Sequence, residues 1–392
     1  MDASPAANEG ATSRAGWPHW FREIRIVLLI SVVTAVAANA GWFDGFETAW
    51  VDAILQLLPR RTAEHVSVVE ITEEDYATRF HSTSPLDPKT LRGLLAAIAR
   101  GRPRLVVIDL ETRPGIIARV GSDPDEPAHW PPSVWARPDV LTGGEPPTEH
   151  DPSVLTGVAE FPIDRDGVIR RHERLIRPHE GAEPPSSSLP WAAVTTHCSL
   201  GGTEAVCNQI GREQPDEGLL MNFAGDRFDF ERMTASAMLA ASSGEGWSTE
   251  RGPLFGKIVL LGGLYWAARD QHATPLGRTH GVYIVAQAIE SELQGLGIRR
   301  TQEGTMFLMD VLCGLVIVLV HHQLKLPTAF RASVAGIPAL VMLSSVVAFY
   351  SFSRWASFVP VCVGVLIHEL YDTARRTNDP RAGHCPGQEP AA

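Results

Sequence analysis

The residues best suited to chemistry lie around one predicted strand. The segment GKIVLLGGLYWAARDQHATPLG runs from an aliphatic strand through two glycines to Asp270, His272 and Thr274, and His280 follows shortly after. A second predicted strand, PRLVVIDLE, carries Asp109 near its end. Because α/β folds bind ligands at the carboxyl ends of their strands, these five side chains are candidates for one pocket. Such a pocket would bind a ligand or a metal ion.

The same segment has a simpler interpretation as a polar turn. In that case Asp270 accepts backbone N–H groups, and Thr274 precedes the proline that turns the chain. A metal site needs three or four converging ligands and a supporting second shell, and spacing in the sequence does not establish convergence. We therefore predict no metal and no cofactor, and we treat the five residues as a candidate ligand site.

Other motifs argue against an enzyme and against a nucleic-acid-binding protein. The segment GPLFGK has three residues between its glycines and Ile258 after the lysine, whereas a phosphate loop needs four residues and then Ser or Thr. No serine stands in a G-x-S-x-G turn between a strand and a helix. The net charge of −11 does not suit nucleic acid, which requires a basic face. We predict that the chain has no catalytic residues.

Four apolar segments approach the length of about 20 residues that crosses the ~30 Å hydrocarbon core of a membrane. The last three follow one another closely, and links such as SFSR and HHQLKLPT leave almost no polar chain to cover a soluble core. Buried helices of a large soluble protein would not explain this clustering. We predict membrane spans at residues 24–43, 304–320, 331–350 and 354–370.

Basic residues next to the spans predict their orientation, because the more basic side faces the cytoplasm. Eight such residues lie on one side and three on the other. The eight are Arg14, Arg22, Arg25, Lys325, Arg331, Arg375, Arg376 and Arg381, and the three are Arg299, Arg300 and Arg354. The tails 1–23 and 371–392 are therefore predicted to be cytoplasmic, and residues 44–303 to lie outside the cell (inner) membrane. Signal-peptidase cleavage after Ala40, in AANAG, is an alternative that leaves the domain outside.

The predicted outer domain alternates strand-like and helix-like segments. HVSVVEIT and PRLVVIDLE are short and apolar, and DPKTLRGLLAAIARG between them is helical, with Asp87 as N-cap and Pro88 as first residue. Such a unit has parallel strands and a right-handed crossover. Residues 114–156 predict a loop, and residues 164–167 the turn of a β-hairpin. We predict an α/β domain with a mixed sheet and flanking helices.

Several segments resemble a known family in their order and rough spacing. They are VVEITEEDY, VVIDLE, FPIDRDGVIRRHERLI, LLMNFAG, GKIVLLGG with the following D and TPLG, and HGVYIVAQAIESEL. In this set, residues 46–302 resemble the CHASE domain, type two. The resemblance implies an extracytoplasmic sensory module of bacterial transmembrane signalling proteins, with one span before it and three after it. It accounts for Asp270 and Thr274, but not for His272 or His280.

Two pairs of residues are predicted to hold parts of the chain together. Cys198 and Cys207 lie outside the predicted membrane, where disulfides persist, and a bond would add ~2–3 kcal/mol by closing a short loop. The alternative is two unpaired thiols. Asp310 lies inside the predicted second span, where a carboxylate is costly and usually partnered. Arg354 stands at the outer entrance of the fourth span, so we predict an Asp310–Arg354 ion pair. Otherwise Asp310 reaches interfacial water.

The favoured hypothesis is a membrane-anchored sensory or scaffold protein. Only residues 371–392 follow the last predicted span, too few for a kinase, cyclase or phosphatase domain. The signal is therefore expected to pass to a separate cytoplasmic or membrane partner, or through homo-oligomers. One alternative is an extracytoplasmic enzyme or metal-dependent binding protein that uses the Asp109 and Asp270 end of the sheet. Another is a structural anchor without a ligand.

Overall fold

The structure is a computed structural model that describes residues 19–110, 130–137, 155–177, 185–210, 219–223, 229–242, 252–323 and 332–377. The chain divides into two compact units. We call Trp50–Arg300 the α/β unit, and Met1–Ala49 together with Thr301–Ala392 the helical unit.

A six-stranded sheet forms the centre of the α/β unit. Its strands are β1 (Thr62–Ile71), β2 (Leu105–Asp109), β3 (Ser133–Arg137), β4 (Leu155–Val158), β9 (Asp229–Thr234) and β10 (Ile258–Gly263). They lie in the order β4-β3-β2-β10-β1-β9, and every neighbouring pair is parallel. The central sheet is therefore wholly parallel in the described strands, and the prediction of a mixed sheet is wrong for it.

Shorter elements surround this sheet. The remaining strands are β5 (Arg171–His172), β6 (Leu175–Ile176), β7 (Ser186–Ser187), β8 (Leu219–Leu220), β11 (Gln271–Thr274), β12 (Gly277–His280) and β13 (Arg299–Arg300). The helices are α3 (Glu73–Thr78), α4 (Pro88–Arg100), α5 (Leu189–Ser199), α6 (Ala235–Ala241) and α7 (Gly281–Leu293), with 3-10 turns at Ala205–Asn208 and Trp266–Ala268. Strands β5 and β8, β6 and β7, and β11 and β12 form three antiparallel ladders.

Helices cover both faces of the sheet, because alternate strand residues are apolar on both sides. Val66, Val68 and their neighbours pack against α5 and α7, whereas Val69 and Ile71 pack against α4 and α6. Such continuously apolar strands are typical of parallel sheets that are buried on two faces. Helix α4 begins as predicted: the Asp87 carboxylate accepts the Thr90 N–H at 2.8 Å.

Two local predictions differ from the structure. Residues 133–137 were predicted to lie in a loop but form β3, which extends the sheet beyond β2. The rest of that segment lies mostly outside the described residues. The hairpin at residues 164–167 is reduced to a single antiparallel bridge between Ile163 and Ile169, closed by the Gly167 N–H to the Asp164 carbonyl at 2.9 Å.

The helical unit consists of α1 (His19–Asn39), α8 (Glu303–Gln323), α9 (Ile337–Phe352) after a π-helical turn at Ala332–Gly336, and α10 (Val359–Thr377). A short strand, Arg354–Trp355, precedes α10, and α2 (Asp44–Leu57) crosses the boundary between the units. Helices α1, α8 and α10 pack against one another, and α9 packs against α10.

Fewer of the described helices are long and apolar enough to span a membrane than the four spans predicted from the sequence. Within the described residues, the helix Ser333–Phe352 is long and apolar enough to cross a membrane. Phe21–Asn39 and Asp44–Leu57 qualify together as one broken span, bent by 76°. Gly304–Val320 and Val359–Tyr371 are apolar but shorter. The described helices therefore account for one or two spans by this measure, and the four-span pattern is not confirmed.

Candidate functional site at the carboxyl edge of the sheet

Three neighbouring strands bring two carboxylates and a glycine into one row. Strand β10 lies between β1 and β2, and its Gly262 is in register with Asp109 of β2 and Glu70 of β1. All three positions follow the apolar residues that face α5 and α7, since side chains alternate along a strand. A side chain at Gly262 would collide with Val282, so the glycine allows α7 to begin close to the sheet.

Asp270 and His272 approach this edge from the following segment. His272 Nε2 lies 2.9 Å from Asp270 Oδ1, and the two side chains are 37% and 33% exposed. The Asp270 carbonyl accepts the Gly281 N–H at 3.0 Å, and a side chain at Gly281 would collide with the Asp270 carboxylate. Gly281 is the first residue of α7, so the carboxylate lies at the positive end of that helix.

The charges of Asp109, Asp270 and His272 influence one another. Burial and, to a smaller extent, the negative charge of Asp270 raise the pKa of Asp109 to about 7, with His272 acting in the opposite direction. The hydrogen bond to Asp270 raises the pKa of His272, although burial opposes the increase. Near neutral pH the cluster therefore contains a His272–Asp270 pair and a carboxyl group, Asp109, that gains or loses a proton.

A buried tyrosine satisfies Glu70, the other carboxylate of the row. The Tyr283 hydroxyl on α7 donates to Glu70 Oε1, and Arg232 Nη1 lies 3.5 Å from the same hydroxyl oxygen. Burial and the hydrogen bond to Glu70 raise the pKa of Tyr283 to about 12, so the phenol remains protonated. Glu70 was missed in the sequence, although a lone carboxylate in the apolar strand HVSVVEIT was a readable signal.

Two of the predicted site residues do not join this cluster. In the β11–β12 ladder His272 is opposite Thr279 and His280 is opposite Gln271. Opposite residues share a face and adjacent residues alternate, so the two histidines point to different faces. His280 instead contacts Gln271, with 3.2 Å between its Nε2 and the amide nitrogen. The Thr274 hydroxyl donates to the Gly277 carbonyl at 2.7 Å and closes the turn.

The arrangement suits a ligand that carries positive charge or several hydrogen-bond donors. Asp109, Asp270 and His272 converge, which is the part of the predicted site that the fold assembles. Among the described residues, no three His, Cys, Asp or Glu side chains are placed to hold a metal ion. The aromatic rings of Tyr76 and Tyr265 stack 4.1 Å apart beyond β1 and β10, and Trp266 next to them is 79% exposed.

Comparison with protein families decides the assignment. Residues 26–321 match the CHASE2 domain, and the match spans the α/β unit together with most of α1 and α8. The chain belongs to the CHASE2 domain family. This confirms the resemblance seen in the sequence, and CHASE2 domains are extracellular sensory domains. No curated protein and no solved structure matches the chain.

The CHASE2 domain also contains a histidine–carboxylate chain at the amino end of β1, with two buried and two partly buried members. Glu290 of α7 is fully buried and accepts hydrogen bonds from the backbone N–H groups of Glu64, His65 and Val66. His65 Nδ1 lies 3.0 Å from Glu290 Oε1, and this hydrogen bond raises the pKa of His65. Glu204 lies 3.5 Å from His65 and 3.1 Å from His197.

Two buried arginines organise the segment after β4 in the CHASE2 domain. Arg170 is 2% exposed and contacts three carboxylates, those of Asp52, Asp164 and Asp166, at 2.7–3.0 Å. Arg174 donates twice to Glu292, at 3.0 and 2.8 Å, and stacks over Trp191. These buried charge contacts were missed in the sequence, although the alternation of charges in FPIDRDGVIRRHERLI was a readable signal.

Cys198 at the end of α5 and Cys207 in the following 3-10 turn form a disulfide in the CHASE2 domain. Their α-carbons lie 5.2 Å apart, within the range that such a bond requires. Glu204, which contacts His197, lies in the same loop. The disulfide therefore fixes the loop that carries one end of the histidine–carboxylate chain.

Asp310 has a different partner from the one predicted. It is 7% exposed on α8, and its Oδ2 accepts the hydroxyl of Thr34 on α1 at 2.8 Å. Gly364 of α10 lies against the same carboxylate, since a side chain there would meet Asp310 Oδ1 at 2.8 Å. Arg354 is exposed and forms no ion pair with Asp310. The Asp310–Arg354 pair is therefore wrong, because a hydroxyl on the first helix satisfies the carboxylate.

Proposed function

We propose that the chain is a membrane-anchored extracytoplasmic sensor. Its CHASE2 domain would respond to a ligand at the Asp109, Asp270 and His272 cluster and pass the response through the helices that enter and leave it. The family match supports the sensory role, since CHASE2 domains are extracellular sensory domains. The match also includes most of α1 and α8, which precede and follow the α/β unit.

The observation that carries the proposal is the hydrogen bond between Thr34 and Asp310. Thr34 lies on α1, before the α/β unit, and Asp310 lies on α8, after it. A change in the domain that moves α1 relative to α8 has to break or rearrange this bond. A change that moves both helices together keeps it. The Thr34 hydroxyl has alternative acceptors within α1, the carbonyls of Ile30 and Ser31 at 3.1 Å. A carboxylate in apolar surroundings needs a donor, so Asp310 favours discrete arrangements of the two helices.

The finer parts of the proposal concern the membrane. Four spans, at 24–43, 304–320, 331–350 and 354–370, would place both termini in the cytoplasm and the α/β unit outside. The eight basic flanking residues against three support this orientation. Output would then pass through the cytoplasmic segments to a signalling partner, or through homo-oligomerisation. We propose a role in recognition, without catalysis, because the candidate cluster lacks a nucleophile held by a base.

A distance measurement between α1 and α8 tests transmission. Spin labels at Arg22→Cys and Gln323→Cys would be placed in the full chain, with Cys313, Cys362 and Cys385 replaced by Ser. We expect the distance distribution at pH 5 to differ from that at pH 8, because Asp109, with its pKa of about 7, changes charge between them. Asp109→Asn should abolish the difference, whereas the exposed control Glu231→Gln should retain it. Identical distance distributions at both pH values in the spin-labelled chain that retains Asp109 would contradict the proposal.

A further inference from the structure

The helical unit contains a cavity that the sensory proposal does not use. Its volume is about 330 Å³, and it lies between α8, α9 and the segment that joins α9 to α10. Met306 and Met309 of α8, together with Phe352 and Phe358, give it apolar walls. Pockets that bind small ligands have volumes of about 300 Å³ or more, so this cavity has room for a single alkyl chain.

Polar side chains also line this cavity, among them Arg354 and Ser357. Arg354 contributes an exposed guanidinium, for which no hydrogen bond or ion pair is found within the described part of the chain. Ser357 is only 5% exposed, and its hydroxyl has no hydrogen-bond partner among the described residues. A buried hydroxyl without a partner is unfavourable, so it marks a place where an acceptor belongs.

The other serines that line the cavity differ from Ser357, because their hydroxyls are satisfied. The Ser345 hydroxyl donates to the Ala356 carbonyl at 2.9 Å, and the Ser344 hydroxyl donates to the Val341 carbonyl at 2.8 Å. Both line the cavity with satisfied hydroxyl donors. The cavity therefore combines one cation, one free hydroxyl and apolar walls that include two flexible methionines, which adapt to irregular apolar ligands.

We propose that this cavity binds an anionic single-chain amphiphile, or one acyl chain of an anionic lipid. The acid group would pair with Arg354 and accept the Ser357 hydroxyl, and the chain would lie between the methionine and phenylalanine walls. The shared chemistry is an anionic head next to an alkyl chain; the head is a carboxylate in a fatty acid and a phosphate diester in a phospholipid. Binding at this site does not depend on the sensory role.

Photo-crosslinking of the purified full chain in neutral detergent tests the site. The probes are palmitic acid and phosphatidylglycerol, each carrying a diazirine in the acyl chain. We expect cross-links on the peptides that contain Met306, Met309 and Phe358. Labelling by the first probe alone identifies a free fatty acid as the ligand, and labelling by the second alone identifies an anionic phospholipid.

Variants separate specific binding from general contact with lipid. Arg354→Gln should weaken binding about tenfold, measured as the probe concentration at half-saturation, because the variant loses a charge-assisted hydrogen bond. Ser357→Ala should weaken it about threefold, and Ala348→Phe, which fills the cavity, should abolish it. Arg25→Gln, at an exposed arginine on α1 that does not line the cavity, is the matched control. Equal labelling of α1, or unchanged labelling in Arg354→Gln, would overturn the proposal. So would equal competition by hexadecanol, which lacks the charge.

Discussion

Arg170 neutralises a cluster of three carboxylates in the α/β unit. Its guanidinium is almost fully buried and contacts Asp52, Asp164 and Asp166. Arg170→Gln would leave three neighbouring carboxylates without their cation, and removing one partner of a buried ion pair costs ~3–5 kcal/mol. Because Asp166 is 46% exposed and screened by water, we expect a loss of about 3 kcal/mol in the free energy of unfolding.

Arg171→Gln is the matched control for this measurement. Arg171 is 34% exposed and lies 3.8 Å from Asp164, so its loss should cost less than ~1 kcal/mol. Denaturant unfolding of the full chain in detergent, followed by tryptophan fluorescence, measures both variants. Equal losses in Arg170→Gln and Arg171→Gln would show that the buried three-carboxylate contact has no special role.

Asp109 makes stability depend on pH in a specific direction. Its pKa in the folded chain is about 7, above the value of ~3.9 in an unfolded chain, so the folded state holds the proton more tightly. The stabilisation is complete below about pH 4 and is lost as the pH rises through 7. Asp109→Asn removes this dependence, so between pH 4 and pH 8 the variant should gain ~4 kcal/mol relative to the unmodified chain, because the two pKa values lie about three pH units apart and each unit corresponds to about 1.4 kcal/mol. Unfolding free energies at the two pH values, with Glu231→Gln as control, measure this difference.

The disulfide is a prediction about one connection between elements. Cys198 lies in the last turn of α5, and Cys207 lies nine residues later in a 3-10 turn. In the unreduced, denatured chain, a thiol reagent should label Cys313, Cys362 and Cys385 but neither Cys198 nor Cys207. Replacing both bonded cysteines by Ser should cost ~2–3 kcal/mol. Labelling of Cys198 or Cys207 before reduction would show that the bond is absent from the protein.

The elements that could be predicted are those whose signals lie within one short segment of the sequence. β1, α4 and β2 were read correctly because apolar patterning and the Asp87 cap lie within each segment. The place of β10 between β1 and β2 was not readable, since strand order depends on pairing between distant segments. Residues 133–137 form a strand without a clean alternation, so composition alone predicted a loop.

The candidate site could likewise be predicted only in part. Asp109, Asp270 and His272 meet because each follows or ends a strand at one edge of the sheet. The direction of His280 depends on the register of the β11–β12 ladder, which the spacing of residues does not determine. Asp310 was correctly expected to need a partner. The partner could not be predicted, because Thr34 supplies an uncharged hydroxyl from a position 276 residues away in sequence.

The two units differ in where their apolar side chains lie. The α/β unit has a core buried on both faces of a parallel sheet, and polar contacts that fix its edges. The helical unit exposes large apolar side chains along α1, α8 and α9, including Leu29, Leu319 and Leu340. Continuous apolar exposure on several helices is unfavourable in water and favourable in a lipid environment. This contrast supports the proposed membrane anchoring of the helical unit.

The membrane topology of the whole molecule is the last prediction. If the chain has four spans oriented by its basic flanks, both termini lie in the cytoplasm and the α/β unit lies outside. A reporter that is active only in the cytoplasm should work when fused after Ala392 and fail when inserted next to Gly144. A reporter that is active only outside should show the opposite pattern.

A shift of charge provides the control for this topology. Replacing Arg375, Arg376 and Arg381 by Gln should weaken the cytoplasmic preference of the carboxyl terminus, whereas replacing the outer Arg299 and Arg300 by Gln should leave it unchanged. Two spans instead of four would still place both ends on one side, so a third reporter belongs between Ser353 and Val359. Activity of the outside reporter there supports the pair of spans formed by α9 and α10. A cytoplasmic signal at that position, with the α/β unit outside, would exclude the four-span arrangement while leaving the sensory domain where the family places it.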